Sequence, residues 1–223
     1  MARRTSLQLA LDLEDTARAV TLAQATADSI DIVEAGTVLV LAQGLSAVRS
    51  LREAVPDRPL CADIRIARAG EKFAEMVFAA GADRVTVIGE APQDVVAGAL
   101  TAAERHHAEV EVELFEAFSR DDVHRWVESG VSRLIAHRPS GVSAADDHTT
   151  RTALERLRGC NLGGTTITVA GGIDFDDTTY FLPGSFDTIA VGSTITAASD
   201  PQQAAARIRA DLDRVTEASH ATV

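Results

Sequence analysis

Several charged side chains stand where short apolar runs of this sequence end, and their types could do chemistry together. Asp12, Glu34 and Asp63 each close such a run, with Arg65 two residues beyond Asp63; Glu113 and the pair His137-Arg138 close two more. Gathered in space, those carboxylates would repel one another unless a cation compensated them. Two carboxylates facing an open, wet site suit Mg²⁺, which takes oxygen ligands and keeps several waters. Glu34 and Asp63 are the candidates for that role; the alternative is that they serve as partners of Arg65 and Arg68. His137 could carry or donate a proton near neutral pH. Two later runs end in glycine, Val169-Ala170-Gly171-Gly172 and Ala190-Val191-Gly192-Ser193. Glycine lets backbone amides approach an anionic group closely, although it also ends strands for turn geometry alone.

The elements that must position these residues repeat along the chain. The apolar or β-branched runs are 7–12, 30–36, 60–66, 84–89, 110–115, 133–138, 166–172 and 188–193, with starts roughly 22–33 residues apart, the length of a strand plus a helix. Amphipathic stretches lie between them at 15–27, 46–54, 71–80, 93–106, 120–129 and 201–215, with Ser119 and Asp200 as N-caps. Alternating β and α units predict a parallel sheet, and eight of them fit a closed (β/α)₈ barrel. No GxGxxG follows the first strand and no GxxxxGK[ST] occurs, which argues against an open dinucleotide-binding sheet or a P-loop. A barrel builds its site from strand C-termini and the loops beyond them, and binds phosphate after strands seven and eight. Gly171, Gly172, Gly192 and Ser193 occupy those two places.

The remaining candidates read as structure. His106, His107 and His124 fall in helical stretches at the surface, His148 in the loop 139–148, and His220 in a tail. Trp126 and the sparse phenylalanines fit helix–barrel packing, and Cys61 reads as a small buried residue. At 223 residues and 46% hydrophobic, the chain fits one large domain. A net charge of −12 argues against a nucleic-acid surface but not against an anionic small ligand. No apolar run approaches the ~20 residues that cross a bilayer, and Met1-Ala-Arg-Arg-Thr-Ser lacks the apolar stretch of a secretory signal. Two cysteines, neither in a metal-ligand spacing, point to a reduced, cytoplasmic protein.

The stretches Asp31-Ile-Val-Glu-Ala-Gly-Thr37, Ala62-Asp-Ile-Arg-Ile-Ala-Arg-Ala-Gly70, Gly81-Ala-Asp-Arg-Val-Thr-Val87, Val169-Ala-Gly-Gly-Ile173 and Val191-Gly-Ser-Thr-Ile-Thr196 carry a resemblance that runs along nearly the whole chain. The sequence resembles the 3-keto-L-gulonate 6-phosphate decarboxylase and 3-hexulose 6-phosphate synthase group of the orotidine 5′-monophosphate decarboxylase superfamily. The resemblance implies a homodimer with shared active sites, Mg²⁺ at Glu34 and Asp63, and phosphate at Gly171, Gly172, Gly192 and Ser193. It implies carbon–carbon cleavage through a metal-stabilised enediolate, with Asp12, Asp63, Arg65, Arg68, Glu113 and His137 in catalytic positions and Arg138 and Ala170 against the substrate. The family's Asp-x-Lys-x-x-Asp motif reads Asp63-Ile-Arg65-Ile-Ala-Arg68 here, so the lysine that contacts the intermediate becomes an arginine, which does not readily deliver or accept a proton, and the aspartate that reaches into the neighbouring subunit's site becomes a cation. Glu113 and His137-Arg138 resemble the decarboxylase branch, whereas Ala170 and the Val-Gly-Ser-Thr-Ile-Thr run resemble the synthase branch. A second arginine of the decarboxylases falls at Ser140. A decarboxylase-like lyase is the main expectation; a formaldehyde aldolase, a sugar-phosphate isomerase or epimerase, and a non-catalytic binder are the alternatives.

Overall fold

Residues two apart in a strand share a face, and the two faces of this sheet carry opposite chemistry. In β1 (Ser6–Leu11), Leu7, Leu9 and Leu11 are fully buried against the helices, while Gln8 turns to the other side and donates to Glu34. The pattern recurs in β2 (Ile32–Ala35), β3 (Leu60–Ile66), β4 (Arg84–Ile88), β5 (Glu109–Glu113), β6 (Arg133–His137), β7 (Thr166–Ala170) and β8 (Thr188–Val191). Val33, Leu60, Val85, Val87, Val110, Val112, Leu134, Val169 and Ile189 all belong to the apolar layer between strands and helices. Burying each such side chain contributes about 1.5–3 kcal/mol. The strands pair in parallel and in chain order, and β8 returns to β1, so the barrel is closed. The computed structural model describes residues 4–139, 142, 146–175, 177 and 186–221, with side chains as far as 216.

The helices are α1 (Thr16–Ala25), α2 (Thr37–Gln43), α3 (Leu45–Ala54), α4 (Gly70–Phe78), α5 (Gln93–His106), α6 (Arg120–Ser129), α7 (His148–Arg158), α8 (Ser193–Thr196) and α9 (Pro201–Ala221). Ser119 caps α6 in a reciprocal box with Asp122, and Asp200 Oδ1 accepts from the Gln203 amide at 3.0 Å. Among the described residues, no helix is long and apolar enough to cross a membrane.

Three helices depart from the sequence expectation. The run Thr37-Val-Leu-Val-Leu-Ala-Gln43, which falls in neither the run 30–36 nor the stretch 46–54 of the sequence reading, coils as α2 and stops at Gly44, whose φ is +65°. His148 opens α7 instead of lying in a loop, because Asp147 caps the Thr150 amide and Thr150, Leu154 and Leu157 form a buried stripe. The C-terminal tail continues α9 to Ala221, so the backbone of His220 is helical. His106 is also less solvated than expected: its Nε2 lies 2.8 Å from Glu75 Oε1, and its ring packs beside Phe78.

Helices α4 and α5 approach closely enough that one position excludes a side chain. A Cβ on Gly70 would lie 1.8 Å from the Val95 carbonyl oxygen. Gly70→Ala must push the two helices apart and is expected to cost about 1–3 kcal/mol in denaturant unfolding. Gly164→Ala, which meets nothing within 4 Å, is the neutral control.

Candidate functional site

The inward side chains make the barrel interior polar from floor to mouth. On the floor, Arg84 and Arg133 lie 3.0 and 3.2 Å from Glu109 and 3.7 and 3.4 Å from Glu111. Glu111 has no exposure, and burial pushes its carboxyl pKa up despite the two guanidiniums beside it. Neither Glu111 oxygen has a hydrogen-bond donor among the described residues. Glu111 is absent from the sequence-derived candidates, yet the alternation Glu109-Val-Glu-Val-Glu113 marks it as sharing a face with Glu113.

Above the floor the strand ends bring most of the expected residues together. Asp63 is buried; its Oδ1 accepts from Thr86 Oγ1 at 2.7 Å, and its Oδ2 lies 2.8 Å from Thr37 Oγ1. Glu34 accepts from Gln8 Nε2 at 2.8 Å. Burial first, then the charges of Asp63, Glu111 and Asp12, raise its carboxyl well above the usual range, and the Gln8 bond only partly opposes them. Asp12 stands exposed at the rim, where its Oδ1 accepts from the Val38 amide in the first turn of α2 at 3.3 Å.

Arg65 is the cation that reaches this cluster. Its Nε donates to Glu113 Oε2 at 2.8 Å and lies 3.7 Å from Asp63 Oδ2. Burial works against its charge, but Asp63, Glu113 and Asp12 outweigh that cost and hold the guanidinium more firmly charged than usual. The backbone bends to put it there. The β3–β4 register shifts between Ala62 and Ile66, and Arg65 takes φ 47°, with its amide caught by Thr86 Oγ1 at 2.9 Å. A left-handed non-glycine residue at a bulge costs about 1 kcal/mol or more. Arg68, by contrast, lies exposed on the loop before α4 and, among the described residues, has no hydrogen-bond or ion-pair partner. Cys61 is buried under the cluster, where burial and then Glu111, Glu34 and Asp63 push its thiol up, which disfavours a nucleophilic thiolate.

His137 ends β6 and packs against the turn after β7: a Cβ on Gly171 would lie 2.9 Å from His137 Cε1 and 2.4 Å from the Arg138 carbonyl. Gly171 and Gly172 have φ of 95° and 54°, a turn that side chains at both places would strain. Arg138 is only 3% exposed and looks away from the mouth. Its Nε donates to the Gly171 carbonyl at 2.9 Å, one Nη donates to the Gly172 carbonyl, and that Nη lies 2.7 Å from Asp177 Oδ2. Its amide binds the Ala170 carbonyl. Arg138 therefore ties the glycine turn from beneath. Gly192 and exposed Ser193 start α8, which is fastened to the same turn by Thr194 Oγ1 on the Ile173 carbonyl at 2.5 Å. Ser140 lies outside the described residues.

The donor set at Glu34 and Asp63 fits a divalent cation. Two oxygen-bearing side chains lie together: burial first and then the Asp63 charge raise the Glu34 carboxyl, and Gln8 only partly opposes them. Among the described residues, no group of three or more His, Cys, Asp and Glu side chains forms a fuller ligand set. A two-carboxylate site completed by water or substrate oxygens is the arrangement Mg²⁺ favours.

Residues 5–208 match the model of the orotidine 5′-phosphate decarboxylase / HUMPS family. A 3-keto-L-gulonate-6-phosphate decarboxylase of Escherichia coli K12 is 37% identical over 215 residues, covering 95% of this chain and 96% of that protein. The crystal structure of 3-keto-L-gulonate-6-phosphate decarboxylase from Vibrio cholerae superposes with a TM-score of 0.83 at 30% identity, covering 95% of this chain and 99% of that one. The 3-hexulose-6-phosphate synthase of Salmonella typhimurium gives 0.86 at 28% identity, covering 95% and 100%. The chain is a (β/α)₈ barrel that belongs to the orotidine 5′-phosphate decarboxylase / HUMPS family.

Proposed function

We propose that this protein is a Mg²⁺-dependent carbon–carbon lyase for a phosphorylated keto-sugar acid, acting as a 3-keto-L-gulonate 6-phosphate decarboxylase. One observation supports it above the others: Asp12, Asp63 and Glu113 converge on the Arg65 guanidinium at the barrel mouth, with Glu34 beside Asp63. The excess of negative charge calls for a further cation, and the relatives named above include both a decarboxylase and a synthase acting on phosphorylated sugars.

In this reading the amides of Gly172, Gly192 and Ser193 hold the substrate phosphate, on a turn that Arg138 keeps rigid. Mg²⁺ bound by Glu34 and Asp63 would supply Lewis-acid stabilisation of negative charge on the substrate oxygens. When the bond to the carboxylate breaks, its electron pair enters an enediolate and CO₂ leaves. Arg65, fixed by Glu113, faces that developing charge without reorganising. A guanidinium does not give up its proton, so the carbon left behind takes its proton from another group. His137, at the end of β6 next to the strand that carries Glu113, is the one we assign.

A second copy of the chain covers Val38, Leu41, Phe73 and Met76 in this reading. Among the described residues these are the exposed large apolar ones, and Leu41 is 82% exposed. They lie on α2 and α4, the helices that follow the strands carrying Glu34 and Asp63, so burying them would bring a partner to the site and cover Arg68. Leu41→Glu is expected to turn a dimer into monomers in sedimentation velocity and to lower turnover at least about tenfold. A wild-type monomer would remove this part of the proposal.

The raised Glu34 carboxyl gives a test independent of turnover. A folded-state pKa above the unfolded value adds stability below the usual carboxylate range and loses it as pH rises through the raised value. Without divalent cations, Tm is expected to fall as pH rises above the usual carboxylate range, and Glu34→Gln to recover at least about 2 °C at the upper end of the scan. Millimolar Mg²⁺ should restore the wild type there and leave Glu34→Gln and Asp63→Asn unmoved.

The direct test offers Mg²⁺-loaded protein 3-keto-L-gulonate 6-phosphate and follows CO₂. Turnover is expected, with Arg65→Ala lowering kcat by about 10² or more. Formaldehyde release from a hexulose 6-phosphate would move the assignment to the synthase reaction, and solvent-deuterium uptake without cleavage would move it to an isomerase.

A further inference from the structure

The bend that delivers Arg65 interrupts the register between β3 and β4. Between Ala62, paired with Val85, and Ile66, paired with Val87, β3 carries Asp63, Ile64 and Arg65 where β4 offers Thr86 alone. The side chain of Thr86, buried inside the barrel, bridges that stretch. Its Oγ1 donates to Asp63 Oδ1 at 2.7 Å and accepts from the Arg65 amide at 2.9 Å. The two roles do not exchange. A carboxylate only accepts and an amide only donates, so the hydroxyl proton points to Asp63 and a lone pair to Arg65.

That fixed proton decides which oxygen of Asp63 is available. Oδ1 is held by β4, and Oδ2 is turned toward Arg65, 3.7 Å from its Nε. Oδ2 also lies 2.8 Å from Thr37 Oγ1, but the same hydroxyl lies 2.8 Å from the Asp63 carbonyl. Thr37 has one proton to give. Given to the carbonyl, it leaves Oδ2 free for a metal ion while Thr37 keeps a hydrogen bond. The other side of the Thr86 hydroxyl acts on the cation. By holding the Arg65 amide it steadies the φ of 47°, from which Nε reaches Glu113 at 2.8 Å. One oxygen atom thus sets both a carboxylate on one side of the bend and a guanidinium on the other.

We propose that Thr86 is a positioning residue for the lyase reaction: its hydroxyl presents Asp63 Oδ2 to the metal ion and holds Arg65 against Glu113 at the barrel mouth. It touches no reacting atom. The role rests on the lyase reading, and the experiment separates the two. Thr86→Val keeps the shape and removes both bonds, whereas Thr86→Ser keeps both. Thr168→Val makes the same exchange at another buried strand position, whose Oγ1 has no partner among the described residues. For each variant, Mg²⁺ affinity is measured by calorimetry, exchange of the Arg65 amide by NMR, and kcat and KM on whichever substrate is turned over. In Thr86→Val the amide is expected to exchange at least about tenfold faster and the Kd for Mg²⁺ to rise at least about fivefold. Its kcat is expected to fall at least about tenfold with KM within about threefold, because the phosphate anchor is untouched. Thr86→Ser should bring all of these back to within about threefold of wild type, and Thr168→Val should move none of them further than that. If Thr86→Val does not fold, Thr86→Cys, with a weak S–H donor, replaces it under the same expectations. A Thr86→Val that behaves as Thr168→Val does would overturn the proposal. So would a Thr86→Ser as impaired as Thr86→Val, which would leave Thr86 a packing residue. A wild type without turnover removes the lyase reading; amide exchange and Mg²⁺ affinity then uphold or overturn the hold of Thr86 on the same terms.

Discussion

The balance of charge inside a closed barrel is the constraint on which the rest of this structure depends. An isolated ionised group is not tolerated in a dry interior, yet this barrel carries carboxylates along much of its axis. On the floor the solution is pairing: Glu109 and Glu111 lie between Arg84 and Arg133. At the mouth the pairing is incomplete, with Glu34 held by an amide and Asp63 by two hydroxyls. A single well-placed cation can then change the protonation of the whole group. The floor matters to the mouth because Glu111 adds to the field that raises Glu34.

Arg65 shows how the backbone serves that balance. Arg65 sits at the bulge of β3 in a left-handed conformation at φ 47°, and from there its Nε reaches Glu113. The strain is held by the Arg65 amide on Thr86 Oγ1, the same hydroxyl that donates to Asp63. One threonine thus fixes the geometry of both a carboxylate and the cation opposite it. In the proposed reaction, a permanent guanidinium at this place keeps electrostatic stabilisation local to Arg65 and leaves proton delivery to another strand.

Much of this is readable from residue order because a parallel barrel sends every strand's C-terminus to the same end. Asp12, Glu34, Asp63, Arg65 and Glu113 stand out as strand ends, and they meet. Glu109, Glu111, Gln8 and Thr86 escape that reading, because strand ends alone ignore the period of two that points residues down the axis. Helix α2 hides because Thr37–Gln43 is apolar and β-branched, and local propensity there favours a strand that tertiary packing overrides. Helix α7 hides behind a polar loop, its one strong signal being the cap at Asp147. The fate of Arg138 is not legible at all. Sequence places a cation next to His137, but only packing decides whether it faces the mouth or, as here, the carbonyls behind the glycine turn.

That buried arginine joins two proposed functions that would otherwise be independent. Arg138 follows His137 directly, its amide is bonded to the Ala170 carbonyl, and its side chain grips Gly171, Gly172 and Asp177. The imidazole assigned to proton transfer and the turn assigned to phosphate therefore share one rigid support. In the proposed reaction the substrate phosphate would sit far from the bond that breaks, and its binding energy would act at that bond only through parts that do not yield. A fully buried guanidinium with a carboxylate partner supplies such a part, because displacing either member would leave the other charged and alone.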